Sequence, residues 1–158
     1  LLLTGNGNFN LDSTTNNVSI ISAGSNASRL GSLNFTNSNA LVVGSVGSNS
    51  GIYTTGTITI STLTGDLSVS QNINTQNTST TAIILNASQS TAAGVSSGGD
   101  LKFSGGASIT IGANARANLY SGSISGSTGL TAITGSGSNR FRYNSDENNN
   151  ENNVLKNY

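Results

Sequence analysis

Two aspartates occupy the same place in two similar stretches of the chain, and their spacing is the only one in the sequence that suggests acid–base chemistry. Asp66 and Asp100 each follow a glycine and precede a leucine. If the strands that follow them are stacked, the two carboxylates lie about 5–10 Å apart, which is the separation of the carboxylate pair in glycoside hydrolases. The competing interpretation is structural, because an aspartate in a turn accepts main-chain hydrogen bonds. We favour the structural interpretation, since the third equivalent position is Ser32 and no arginine or aromatic cluster accompanies the aspartates.

The composition excludes most other catalytic chemistry. The 158 residues include no Cys, His, Met, Trp or Pro, so the chain cannot form a disulfide, a Cys/His zinc site, a Ser-His-Asp triad or a Cys-His pair. The six basic residues balance the six acidic ones, which argues against a nucleic-acid partner. The glycine-rich nonapeptide of calcium-binding solenoids is absent as well. We therefore predict no catalytic residue, no metal site and no cofactor.

The apolar residues fall in short packets that alternate with polar ones. Thr57-Ile58-Thr59-Ile60 is a clear instance, and this period of two is typical of half-buried strands. Asn, Ser, Thr and Gly make up more than half of the chain and fill the intervals. Helical periodicity is lacking, and the longest apolar runs are about four residues against the roughly 20 that span a bilayer. The sequence predicts an all-β protein with short strands, no significant helix and no membrane span.

Three stretches share the pattern glycine, polar, leucine, any residue, apolar, and they begin 34 residues apart. The residues of this repeat signature are Gly31, Leu33, Phe35, Gly65, Leu67, Val69, Gly99, Leu101 and Phe103. A fixed period of this size is typical of repeat architectures, and the low apolar content suits a narrow core. We expect a parallel β-helix (β-solenoid) in which Leu33, Leu67 and Leu101 stack above one another. The sequence leaves open whether 34 residues form one winding or more, and an antiparallel sandwich is the less favoured alternative.

Residues 55–60, 65–69 and 99–111 resemble the repeats of filamentous haemagglutinin-like bacterial adhesins. The segment from Leu119 to Asp146 resembles the recurring ends of such repeats, and the similarity extends over residues 30–146. The resemblance implies a right-handed parallel β-helix in an exported protein of the bacterial cell surface. It also implies a role in adhesion or as a stalk.

The last residues differ in composition from the rest of the chain. Half of the twelve charged residues lie within 140–158, which also contains a run of asparagines. We therefore divide the chain into a β-helix segment, residues 1–139, and a charged, Asn-rich cap, hinge or lead-in to a following domain, residues 140–158. Because the sequence begins without a signal peptide, we expect a processed product or an internal piece of a longer protein.

These observations favour a structural or adhesive segment of a surface protein over two alternatives. We expect it to contact flanking repeats or other copies end to end, because the outermost strands of a stack present unpaired edges, and a glycan or cell-surface molecule is a further expected ligand. The first alternative is a polysaccharide lyase or glycoside hydrolase that uses Asp66 and Asp100. The second is an ice-binding solenoid, suggested by the hydroxyl pairs Thr57/Thr59 and Ser108/Thr110.

Overall fold

The computed structural model describes residues 1–92, 95 and 97–134, and this part of the chain is almost entirely β. The strands are β1 (Leu2–Leu3), β2 (Phe9–Leu11), β3 (Ile20–Ala23), β4 (Leu33–Asn37), β5 (Leu41–Val43), β6 (Ser45–Val46), β7 (Asn49–Ser50), β8 (Ile52–Thr54), β9 (Ile58–Thr62), β10 (Leu67–Val69), β11 (Ile73–Thr75), β12 (Ile83–Asn86), β13 (Leu101–Phe103), β14 (Ile109–Thr110) and β15 (Ala117–Tyr120). A single short helix follows, α1 (Leu130–Thr134). The predicted all-β class is confirmed. Within the described residues, no helix has the length and apolar character needed to cross a membrane.

The first sheet contains five parallel strands in the order β15-β12-β9-β4-β2. Its register places Leu33 beside Ile58, and Ile58 beside Ile83. These three residues are successively 25 positions apart in the sequence. Their side chains are almost completely buried, whereas the alternate residues of each strand face outward, as the period of two predicted.

The second sheet has eight parallel strands and consists of two arms that meet at β3. One arm is β5-β10-β13 and the other is β8-β11-β14, while β1 pairs with β3 off this path. Ile20 and Ile21 of β3 pair with β5, and Ala23 pairs with Ile52 of β8. The strands β6 and β7 form a separate antiparallel hairpin between β5 and β8.

The chain passes through the five-stranded sheet and the two arms of the eight-stranded sheet in a repeated order. It passes through β4, β5 and β8, then through β9, β10 and β11, and then through β12, β13 and β14. Each strand of one triplet pairs in parallel with the corresponding strand of the next triplet. Every strand pairing between successive triplets is therefore non-local, and the registered residues lie 21 to 36 positions apart in the sequence.

One part of the predicted stacking is confirmed and another part is wrong. Leu67 and Leu101 are registered partners on the neighbouring strands β10 and β13. Leu33, however, lies in the five-stranded sheet between Phe9 and Ile58, and the partner of Leu67 on its other side is Leu41. The 34-residue period is not general, because the chain returns to the five-stranded sheet after 25 residues at β9 and β12. The predicted segment 140–158 lies outside the described residues.

A single narrow core lies between the sheets. It is filled by inward side chains from the five-stranded sheet and from both arms of the eight-stranded sheet, and twelve of the largest are essentially inaccessible to solvent. Buried polar residues shape the corner where the chain leaves the five-stranded sheet. The Asn37 side chain accepts the N–H of Val18 at 2.9 Å, and the Thr62 hydroxyl donates to the carbonyl of Gly65 at 2.9 Å. The equivalent positions Asn37 and Thr62 therefore use different buried polar side chains for the same purpose, which is to bind main-chain groups at the corner.

Candidate functional site

The two aspartates lie immediately before neighbouring parallel strands, as the repeat signature predicted. Asp66 precedes β10 and Asp100 precedes β13. The Asp66 Oδ1 atom accepts the main-chain N–H of Asp100 at 2.9 Å. Its Oδ2 atom forms an ion pair with Lys102 Nζ at 2.5 Å. The Asp66 carboxylate therefore connects two neighbouring strands through both oxygens.

The Asp100 carboxylate has an equivalent role toward the segment that follows β15. Its Oδ1 atom accepts the main-chain N–H of Ser123 at 2.7 Å and the Ser123 hydroxyl at 3.1 Å. The Ser121 hydroxyl donates to the same atom at 3.5 Å. Asp66 thus receives its donors from the start of β13, and Asp100 receives its donors from the residues that follow β15. This geometry favours the structural interpretation, because the carboxylates are engaged by protein donors.

The electrostatics of Asp66 follow from these contacts. Partial burial alone would raise the pKa of the Asp66 carboxyl, but the hydrogen bonds from Lys102 and from the N–H of Asp100 outweigh it, and the pKa lies below its ordinary value. The hydrogen bond to Asp66 conversely raises the pKa of the Lys102 ammonium. Both groups are charged around neutral pH, so neither is poised there as a general acid or base.

The nine residues of the repeat signature have packing positions. The side chains of Leu33, Phe35, Leu67, Val69, Leu101 and Phe103 are all buried. Their glycines lie where the main chain of a neighbouring strand comes close: a Cβ atom on Gly99 would lie 1.8 Å from the carbonyl oxygen of Gly65. Gly65 itself has a left-handed backbone, with φ of 78°. The signature therefore marks close backbone approach and core packing.

The hydroxyl pairs are not continued across neighbouring strands. Thr59 lies between Asn34 and Ile84 in the five-stranded sheet, and Thr110 pairs with Asn74. An ice-binding face needs a hydroxyl in nearly every row, and these rows do not supply one.

A polar groove that the sequence does not predict lies on the outer surface of the five-stranded sheet. Its volume is about 360 Å³. It is lined by outward side chains of β4 and β9 and by the loops that follow β2, β9 and β12: Asp12, Thr14, Asn34, Thr36, Thr59, Ser61, Leu63 and Gln89. In the sequence, the groove residues of β4 and β9 are visible only as polar residues that alternate with core residues. The 25-residue register of the two strands is what places them side by side.

A third candidate surface is the strand edge formed by β1 and β2. Within the described residues, β1 pairs only with β3 and β2 pairs only with β4. Three large apolar side chains near this edge are well exposed: Leu1 at 39%, Leu2 at 40% and Ile20 at 40%. Unpaired main-chain groups beside exposed apolar residues favour pairing with further strands.

Comparisons of the chain with protein-family models, with curated proteins and with solved structures found no match.

Proposed function

We propose that this chain is a segment of a right-handed parallel β-helix, a β-solenoid, that gives a bacterial surface protein length and stiffness and takes part in adhesion. The observation that carries the proposal is the repeated register of Leu33, Ile58 and Ile83 in neighbouring parallel strands. A chain that returns to the same ladder at a constant interval extends along one axis as repeats are added. The similarity of residues 65–69 and 99–111 to haemagglutinin-like repeats supports the adhesive and bacterial part of the proposal.

The edge at β1 and β2 supports a role in end-to-end assembly. A parallel stack exposes a strand edge at each end, and natural proteins protect such edges with charges, proline or covering chain. Here Leu2 and Ile20 lie near the edge and carry no charge. We propose that this edge pairs with preceding repeats of a longer protein or with a second copy of the chain. A head-to-tail contact of that kind does not close on itself and can propagate into a filament.

The coiled register can be tested with engineered disulfides, because the natural chain contains no cysteine. Val42 and Ser68 are registered partners on β5 and β10, so V42C/S68C places two Cα atoms about 4.8 Å apart, within the range that a disulfide bridges. The control V42C/K102C separates them by two strand spacings, about 9.6 Å. We expect V42C/S68C to oxidise rapidly and the control to remain reduced. Equal oxidation of the two variants would contradict the register.

The assembly part is tested by sedimentation velocity over a range of protein concentrations. We expect the 158-residue chain to associate in a concentration-dependent way, and the double variant L2K/I20K to sediment as a monomer. The control is Ile124→Lys, because Ile124 is 65% exposed and lies in the chain after β15, away from β1 and β2. A natural chain that remains a monomer at every concentration, or a control that dissociates as readily as L2K/I20K, would overturn this part.

A further inference from the structure

We propose that the groove over the five-stranded sheet binds a neutral oligosaccharide. This inference deepens the adhesive part of the proposed function and rests on it, since it names the site and the class of ligand. It does not depend on end-to-end assembly.

The floor of the groove carries hydroxyl groups that have no hydrogen-bond partner among the residues that the structure describes. Thr36 and Ser61 are only 9% and 4% exposed, and their registered positions place them side by side on β4 and β9. Among the described residues, the side-chain hydroxyls of Thr36, Thr59 and Ser61 take part in no hydrogen bond. No buried side-chain polar atom in this part of the chain lacks a partner, so these hydroxyls reach the space of the groove. A largely buried side chain with a free hydroxyl is suited to bind a polar ligand.

One end of the groove contains an ordered chain of amide hydrogen bonds. The Asn34 Nδ2 group donates to Asn10 Oδ1 at 2.6 Å, and the Asn10 Nδ2 group donates to Asp12 Oδ2 at 3.1 Å. This chain fixes the orientation of the Asn34 amide and leaves its Oδ1 atom as an acceptor beside the free hydroxyls. The groove therefore presents donors and acceptors together, which matches the hydroxyl groups of a sugar.

The charge and the main-chain pairing of the groove exclude other classes of ligand. Among the described residues, its lining contains the Asp12 carboxylate and no lysine or arginine, so an acidic glycan or a phosphate would find no counter-charge there. Leu63 is its only large apolar residue, which argues against an apolar ligand. The strands β4 and β9 are paired on both sides, so a peptide cannot add as a further strand.

The dimensions of the groove indicate a short oligosaccharide and not a single sugar. From Asp12, next to β2, to Gln89, after β12, the groove crosses three strand spacings, which amount to about 14 Å. Its axis runs across the strands, so the free hydroxyls of neighbouring strands meet successive parts of an extended ligand. Binding would be weak at one site and would strengthen when several copies are presented together.

The test is a titration of the ¹⁵N-labelled full chain, followed by NMR, with maltohexaose, cellohexaose, mannohexaose and polygalacturonate as probes. We expect at least one of the three neutral hexasaccharides to shift the amide signals of residues 34–36 and 59–61, and polygalacturonate to leave them unchanged. Two variants remove a groove hydroxyl, Thr59→Val and Ser61→Ala. We expect each to weaken binding about threefold to tenfold, which is the effect of one lost neutral hydrogen bond.

The matched controls are Thr110→Val and Ser68→Ala, which make the same substitutions at outward strand positions away from the groove. We expect both controls to bind like the natural chain. The proposal is overturned if no neutral hexasaccharide shifts the groove signals, if polygalacturonate alone does so, or if groove and control variants lose affinity equally. Sedimentation of the same samples reports separately on assembly, so a failure of the glycan site is distinguishable from a failure of the proposed filament.

Discussion

The main-chain N–H of Asp100 donates to Asp66 Oδ1 across two neighbouring parallel strands, at a distance of 2.9 Å. The same carboxylate holds Lys102, which lies two residues further along β13. One side chain thus fixes both the start and the outer face of the adjacent strand. This matters because β13 is the next described strand after β12 but pairs with β10 and not with β12.

The stability contributed by this pair depends on pH, and the direction follows from the two pKa shifts. Because the pKa of Asp66 is lowered by folding, its contribution is present above the ordinary value of 3.8 and is lost as pH falls through the lowered value. Because the pKa of Lys102 is raised, its contribution is present below 10.5 and is lost as pH rises through the raised value. Thermal unfolding of the natural chain and of Asp66→Asn should therefore differ between these limits and converge outside them.

The difference in Tm should be small and should shrink at high salt, since both side chains are more than one-third exposed. Asp12→Asn is the control, because within the described part of the chain Asp12 accepts a hydrogen bond only from the neighbouring Asn10 side chain. A difference between the natural chain and Asp66→Asn that persists unchanged at pH 2 would show that the ion pair is not its source.

Two glycines have left-handed backbones but differ in the space around them, so substituting each by alanine distinguishes backbone strain from a steric clash. Gly47 has φ of 62° and open space around a built Cβ atom, whereas Gly51 has φ of 76° and a Cβ atom there would lie 2.2 Å from the carbonyl oxygen of Asn72. Gly47→Ala should lower the free energy of unfolding by about 1–2 kcal/mol. Gly51→Ala should cost roughly 1–3 kcal/mol more, because the neighbouring strand must move. Urea unfolding measures both, and equal losses would contradict the close approach.

The sequence was sufficient to predict the strands but not their partners. The alternation of Ile58 and Ile60 with threonine identifies an inward and an outward face without any tertiary information. The register is different, because Leu33-x-Phe35 and Leu67-x-Val69 have the same local pattern and yet belong to different sheets. Every ladder of a narrow core selects the same alternation, so local pattern cannot distinguish them. The spacing of 34 residues between Leu67 and Leu101 is the true register of β10 and β13. The equal spacing between Leu33 and Leu67 is a coincidence, because these two residues belong to different sheets.

Of the candidate sites, the aspartates can be found from a local sequence pattern, whereas the groove depends on which strands pair. Asp66 and Asp100 follow glycines in the sequence, and this local pattern favours a structural role in a turn. In the structure both carboxylates accept main-chain hydrogen bonds, as that role requires. The groove was missed because Thr36 and Ser61 are ordinary polar residues in the sequence. They become neighbours only through the pairing of β4 with β9.

The buried corner at Asn37 predicts a large effect of a single amide. Asn37 is completely buried; its Oδ1 atom accepts the N–H of Val18, and its Nδ2 group donates to the carbonyls of Val18, Asn39 and Ala40. Asn37→Leu would leave these main-chain groups without their partner and should lower the free energy of unfolding by roughly 3 kcal/mol. The control Asn39→Leu changes an exposed asparagine and should cost less than about 0.5 kcal/mol. Chemical denaturation of the two variants compares them directly, and similar losses would refute a structural role for the amide.

Arg29 joins the neighbouring strands β8 and β11 through uncharged partners, so its substitution should cause a loss of stability that does not depend on an ion pair. Its guanidinium donates to the carbonyl of Thr54 at 3.1 Å and to Asn74 Oδ1 at 2.8 Å, and it lies 5.6 Å from the centre of the Tyr53 ring. Arg29→Lys keeps the charge but cannot make these contacts together, and it should lower the free energy of unfolding by about 1–2 kcal/mol. The loss should change little with salt, because the partners are uncharged.

The control for this change is Arg116→Lys, because Arg116 is exposed and its side chain makes no hydrogen bond within the described residues. It should unfold like the natural chain in the same urea titration. Amide hydrogen exchange adds a local measurement: Thr54 and Asn74 lie on β8 and β11, so Arg29→Lys should accelerate exchange in these two strands more than in the five-stranded sheet. Acceleration spread evenly over both sheets, or equal losses in the two lysine variants, would mean that Arg29 does not connect β8 to β11.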